Sequence, residues 1–177
     1  MDFDLQPTLA GEHLTLRPLR PDDREALWSA ARDPLIWELH PDQTRYHREG
    51  FELFFAGLLE EPGSLAVVHN ASGRVIGVTR YYDWEPQQRE VAIGYTFLTR
   101  EFWGGRANRE MKQLLIEHAA PHVDAIWFHV GKHNLRSRRA MEKLGAVAAF
   151  EGQRPQHGEM VDFIYYRIEP ARWRGGN

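Results

Sequence analysis

Gly104 and Gly105 stand where an alternating apolar run gives way to a helix-like stretch, and this is the part of the chain most suited to chemistry. Glycine lets the backbone come close to a ligand. The first turn of a helix then offers unpaired N–H groups at the positive end of its dipole, which suits a diphosphate or another anion. Taken alone, such a loop is equally a glycine-rich turn that binds nothing. No G-K-[ST] follows, so this is not a nucleotide triphosphatase loop, and the dinucleotide fingerprint G-x-G-x-x-G is absent. Further on, Asn134 and Ser137 are about one helical turn apart. Ser137 carries a hydroxyl that can hand on a proton, although a capping or surface serine has the same signature. Glu90, Asp83 and the histidines are candidate bases, with a solvated strand carboxylate as the plain alternative for Glu90. His118 and His122 have a metal-compatible spacing, but Pro121 lies between them, and His129 and His133 straddle a strand end. Neither pair has an evident carboxylate partner, so no metal site is expected.

The elements that must position these groups follow from hydrophobic periodicity. His13–Arg17 alternates as a strand, closed by Pro18. A helix follows Pro21-Asp22-Asp23, with Asp22 as cap and Leu27, Trp28 and Ala31 on its apolar face, and Asp33-Pro34 ends it. His40-Pro41-Asp42 reads as a loop. The spacing of Phe51, Phe54, Phe55 and Leu58 predicts a second helix over about 45–59. Strands over 65–69, 74–82 and 89–98 form an antiparallel meander, with turn residues at Asn70–Gly73 and Glu85–Gln88. A helix over 105–119 carries Met111, Leu114, Leu115 and Ala119 and stops before Pro121. The nearly continuous apolar run Ala125–Val130 is a buried strand, and a helix over 134–144 ends at Gly145. Val147–Phe150 and Met160–Ile168 complete the sheet, and the tail 172–177 is expected to fray. The strand–helix–strand–helix order makes the sheet partly parallel.

Size and charge limit the remaining classes. A chain of 177 residues supports one sizeable core, so one domain is expected, its core over about 9–168. The net charge of -3 gives no global pull toward nucleic acid or anionic lipid. The absence of cysteine excludes disulfides, thiolate nucleophiles and cysteine zinc sites. No apolar run approaches the roughly 20 residues of a membrane span, and Met1–Asp4 does not read as a signal peptide. A cytoplasmic protein with no nucleic-acid or membrane partner is expected.

Ile93–Leu98 followed by Phe102-Trp103-Gly104-Gly105-Arg106-Ala107-Asn108-Arg109-Glu110 resembles the acetyl-CoA-binding segment of the GNAT superfamily of N-acetyltransferases. Asn134–Ala146 resembles the N-x-x-S-x-x-x-x-x-K-x-G-[FA] motif of the same superfamily, and Leu14–Leu19 is similar to the opening strand of its RimJ/RimL-like branch. The resemblance covers about residues 9 to 168. It implies an α+β, three-layer fold with a mixed, partly splayed sheet of about six to seven strands and about four helices. It also implies acetyl-CoA as co-substrate, lying between the 89–98 and 125–130 strands. Backbone groups near Phe97, Leu98 and Thr99 would pair with the pantetheine arm. N–H groups of Gly104, Gly105, Arg106, Ala107 and Asn108 would hold the diphosphate, and Asn134 would reach the cofactor from the far side. The chain departs from the family pattern in carrying Glu101 at the first motif position, Arg106 at the second glycine and Ala92 where many members have a glutamate.

The implied reaction is direct acetyl transfer to a primary amine, on a protein N-terminus or a small amino-acid-like acceptor. It needs a polarised thioester carbonyl, a base and an acid. N–H groups at a strand bulge near Tyr95–Phe97 are candidates for polarising the carbonyl, Ser137 for the acid and Glu90 for the base, through water. Asp83 and Trp84 at a strand end, and Trp37 and Tyr46 near the His40 loop, are candidate walls of the acceptor pocket. Arg136, Arg138 and Arg139 form a solvated helix face or attract the adenosine 3′-phosphate. The alternative is a catalytically idle acyl-CoA-binding module. A monomer and a homodimer are both compatible with the apolar strand 163–166.

Overall fold

Residues 64–67, 76–81 and 91–93 are buried without a break, so these strands have two faces to cover, and helices cover both. The computed structural model describes residues 2–175. The elements run β1 (Leu9–Ala10), β2 (Leu14–Pro18), α1 (Arg24–Ala31), α2 (Pro34–Trp37), α3 (Arg48–Glu60), β3 (Ser64–His69), β4 (Val75–Glu85), β5 (Glu90–Leu98), α4 (Arg106–Ala119), β6 (Ala125–Gly131), α5 (Leu135–Leu144), β7 (Val147–Gln156) and β8 (Glu159–Ile168). The eight strands make one sheet in the order β1-β2-β3-β4-β5-β6-β8-β7. Every neighbouring pair is antiparallel except β5 and β6.

Two cores lie on opposite faces of this sheet. On one, Met111, Leu115 and Ala119 of α4 and Met141 and Leu144 of α5 pack on Leu16, Val67, Ile76, Val91, Ile93 and Phe128. On the other, Leu27, Trp37, Phe51, Phe54, Phe55 and Leu58 of α1–α3 pack on Ala66, Val78 and Phe97. The arrangement is the expected three-layer α+β fold, with eight strands and five α-helices among the described residues where about six to seven and four were expected. The additions are the two-residue β1 and the four-residue α2, both too short to leave a periodic trace.

Other expectations are corrected by local chemistry. Asp33-Pro34 does not only end α1; Asp33 caps α2 by accepting from the Leu35 N–H, with Pro34 at the first position where proline is tolerated. At the start of the preceding helical segment, Asp23 and not Asp22 is the working carboxylate, accepting from the Arg20 N–H at 2.8 Å and from Arg17. The tail is tied down as far as Trp173, whose indole N–H donates to the Leu144 carbonyl at 2.8 Å. Met1, Gly176 and Asn177, part of the predicted signal-free start and frayed end, lie outside the described residues. Among the described residues no helix is long and apolar enough to cross a membrane.

Candidate active site

β5 and β6 pair over only three positions, Glu90–Ala92 with Ala125–Trp127. Beyond them the strands part and face each other with unpaired edges. On its other side β5 holds an extra residue. Arg80 of β4 lies opposite Gly94, and Val78 opposite Phe97, so three steps on β5 match two on β4. Tyr95 takes up the excess with φ of +52°, a left-handed conformation uncommon for a tyrosine. The expected bulge is therefore present at one lip of the gap. The Thr99 N–H donates to Ile76 of β4, so Thr99 faces away from the gap, contrary to expectation. Strand alternation turns Phe97 the same way and leaves Thr96 and Leu98 facing the gap. The Leu98 carbonyl accepts from the Trp103 indole at 2.9 Å.

The loop below the gap has the geometry that anion binding requires. Gly104 sits at φ of +66° with open space around it. Gly105 is the N-terminal cap of α4, with no side chain capping the helix and no acidic residue in its first turn. The N–H groups of Arg106, Ala107 and Asn108 thus start a 14-residue helix with nothing negative in front of them. Across the gap, Asn134 caps α5 by accepting from the Ser137 N–H at 3.2 Å, and among the described residues no hydrogen bond engages its amide nitrogen. Ser137, Met141 and Leu144 fall on one stripe of α5, and the last two are core residues, so Ser137 faces the sheet. Arg136 reaches over the gap. Its guanidinium lies 4.0 Å from the Trp103 ring centroid and donates to the Ile36 carbonyl at 3.0 Å. Arg138 is engaged with the Lys132 carbonyl and the Tyr166 hydroxyl, and Arg139 is exposed.

One functional group escaped sequence reading on this face. Lys112 of α4 is 5% exposed, with Nζ 3.5 Å from Thr96 Oγ1 on β5 and 5.2 Å from the Phe128 ring on β6. It spans the floor of the gap between the parted strands. Burial lowers its pKa from 10.5 to about 8.

The opposite face carries a polar cluster. Tyr82 of β4 and His129 of β6 meet across the gap, hydroxyl to Nδ1, at 2.9 Å. Arg154 of β7 lies 2.5 Å from the same nitrogen. A guanidinium can only donate, so His129 Nδ1 is the acceptor and the ring proton is on Nε2. Burial, with Arg154 added, lowers the His129 pKa to about 4, so the ring is neutral at physiological pH. Tyr82 packs edge-on against Tyr95 at 5.1 Å, and Arg80 lies 5.3 Å from the Tyr95 ring. Asp83, the exposed residue that follows Tyr82 on β4, acts electrostatically on Tyr82 and His129.

The α2–α3 loop bounds the cluster. Asp42 accepts from the Thr44 N–H and hydroxyl and from Arg45 Nε, and His157 at the β7–β8 turn lies 3.1 Å from its carboxylate. Burial acts to raise the Asp42 pKa, but these donors overcome it and hold the pKa far below the usual carboxylate value. His40 is neutral, its pKa lowered to about 3 by burial and by Arg45.

The remaining candidates are dispersed. Trp37 is 2% exposed, with its indole N–H on the Ala31 carbonyl, so it is a core residue. Trp84 packs edge-on against Phe3 in the α4-side core, the wrong face for the Tyr82 cluster. Tyr46 packs at a tilt against its neighbour His47, ring centroids 4.0 Å apart. Glu90 accepts from the Trp127 indole at 3.0 Å, in the paired segment where the gap is closed. His118 and His122 flank Phe3, and His118 Nε2 bonds the Asp4 carbonyl. Among the described residues no group of three or more potential metal ligands is found.

Comparison with known proteins gives a consistent picture. Residues 13–147 match the family model of the acetyltransferase (GNAT) domain. No curated protein matches the chain. Among solved structures, a candidate acetyltransferase from T. thermophilus is similar at 29% identity and a TM-score of 0.77, over 94% of this chain and 90% of that one. A GCN5-related N-acetyltransferase from Brucella melitensis shares the fold with a TM-score of 0.84 at 18% identity, over 95% of this chain and 80% of that one. Mycobacterium smegmatis RimJ in complex with CoA-disulfide shares it with a TM-score of 0.70 at 17% identity, over 92% and 85%.

Proposed function

The chain belongs to the GNAT acetyltransferase family, and from that premise we propose that it transfers an acetyl group from acetyl-CoA directly to a primary amine in a ternary complex. The observation that carries this reading is the parting of β5 from β6, with the Tyr95 bulge at its lip and the open start of α4 beneath. The residues present fit the co-substrate. Gly104 to Asn108 hold the diphosphate with helix-start N–H groups, and Arg106 adds a cation beside it. Thr96 and Leu98 offer peptide groups to the pantetheine arm, and Asn134 and Lys112 offer donors from the far wall and the floor. The N–H groups at the bulge polarise the thioester carbonyl. Ser137 supplies the proton taken up by the leaving thiolate. Asp83 draws the proton from the amine through water; Glu90, engaged by Trp127, has the weaker claim to that role.

The opening strand Leu14–Leu19 and the shared fold with RimJ support a RimJ/RimL-like reading, in which a single cytoplasmic domain, as monomer or homodimer, acts on an α-amine. Thiol release from acetyl-CoA across a panel of amines, with products weighed by mass spectrometry, tests the assignment. Amine-dependent release is the expected result. Tight coenzyme A binding without release with any amine makes the chain an acyl-CoA-binding module instead.

A further inference from the structure

Arg45 is a buried side chain that, among the described residues, uses one of its five guanidinium N–H donors. The residue is 8% exposed, in the loop between α2 and α3. Its Nε donates to Asp42 Oδ2 at 3.1 Å. The other Asp42 oxygen is taken by Thr44 and His157. Among the described residues no hydrogen bond reaches the two terminal nitrogens of Arg45. A guanidinium is costly to bury with only one of its nitrogens paired, and this one is engaged by Asp42 through Nε alone. Its guanidinium lies 4.1 Å from the Phe54 ring centroid and 5.5 Å from that of Trp37. It is also within electrostatic reach of Tyr95, the bulge residue at the acyl end of the gap.

Two further cations stand around the same tyrosines. Arg80 is 7% exposed, lies over Tyr95, and has a buried Nε with no partner among the described residues. Arg154 contacts His129 and Tyr82. The opposing carboxylates are few and mostly committed. Asp42 is saturated, and Glu61 is 79% exposed and touches Arg80 at 3.3 Å. Asp83 follows Tyr82 on β4, is exposed, and acts electrostatically on Tyr82 and His129. The charges around Tyr95 are therefore mainly cationic, and Asp83 is the carboxylate left for an amine.

From this division of charge we infer that the acceptor is a small amino-carboxylate, its carboxylate clamped in the Arg45 fork and its amine directed to the bulge between Tyr95 and Asp83. The inference rests on the acetyltransferase reading for its chemistry, but the clamp itself is a binding site. A planar fork matches a carboxylate in two parallel hydrogen bonds, which a lysine cannot reproduce. A polyamine would bring like charge against three guanidinium groups.

The test compares amino acids with the matched amines and carboxamides that lack the carboxylate. For the wild type, kcat/KM should favour the carboxylate by roughly 10- to 100-fold. In Arg45→Met that ratio falls toward one, and Arg45→Lys, which keeps the charge but not the fork, recovers only part of it. Calorimetric binding of N-acetyl amino acids, compared with their N-acetyl amides, gives a readout that needs no turnover. Preference for the acid that is lost in Arg45→Met supports the clamp even if no amine is acetylated, an outcome that would overturn only the acetyltransferase reading. Acetylation of amines with no preference for a carboxylate, or a preference unchanged in Arg45→Met, overturns the clamp and leaves the acetyltransferase reading intact.

Discussion

Replacing Lys112 with methionine should make the free protein more stable and the enzyme worse. The ammonium is buried, makes one long contact with Thr96, and has no carboxylate partner among the described residues. A pKa lowered from 10.5 to about 8 means that holding the charge costs the folded state about 3 kcal/mol. The Phe128 ring at 5.2 Å returns part of this, about 0.5–1 kcal/mol, which methionine would forgo. Methionine fills nearly the same volume, so the net expected gain at pH 7 is about 2–3 kcal/mol, or about 4–12 °C in Tm. Below pH 8 lysine is charged in both the folded and unfolded states, and the folded state bears the full cost. Above pH 10.5 it is neutral in both, and the cost is gone. The wild type should therefore gain on the variant as pH rises through that window. Denaturant unfolding of both proteins at pH 7, 8.5 and 10 measures this difference, and KM for acetyl-CoA should rise in the variant. A Lys112→Met protein less stable than wild type at pH 7, or a stability gap that does not shrink by pH 10, refutes the reasoning.

The other expectations can be checked with single variants. Ser137→Ala should lower kcat about 100-fold, as loss of a general acid does, and leave KM for acetyl-CoA near wild type; unchanged turnover removes the acid role. Asp83→Asn should cut kcat by a similar factor, about 100-fold, with coenzyme A affinity by calorimetry unaffected, and equal loss in Glu90→Gln would return the base role to Glu90. Gly77→Ala puts a methyl 2.0 Å from the Phe97 carbonyl oxygen, a backbone atom beside the bulge. It should cost about 1–3 kcal/mol in denaturant unfolding.

Much of this architecture was legible in the sequence because it is local. Gly145 ends α5 at φ of +86°, as a glycine after a periodic stretch should, and the Gly104–Gly105 helix start stands where its residue types indicated. The site was less legible because its members come from distant segments. Trp37 near a loop looked like a pocket wall, yet its neighbours Phe54 and Phe97 make it core. Alternation alone could not show that Trp84 faces Phe3, since the left-handed Asp83 shifts the strand's register just before it. Lys112 did leave a signal. It sits between Met111 and Leu115 on a helix whose Ile116 is also buried, a charge inside an apolar stripe. Arg45 left none, because its burial depends on Phe54, Trp37 and a turn of chain it does not belong to.

The three-position seam between β5 and β6 has a mechanical meaning as well. Five strands lie on one side of it and three on the other, so the sheet is two rafts lashed along a short edge. A molecule that hydrogen-bonds both loose edges acts as a strand borrowed from solution, and its departure returns two open edges to water. Occupancy and cohesion are then one quantity. Amide exchange along Thr96–Leu98 and Phe128–Val130 would slow in proportion to ligand bound, which turns the protein's own backbone into the gauge of its co-substrate.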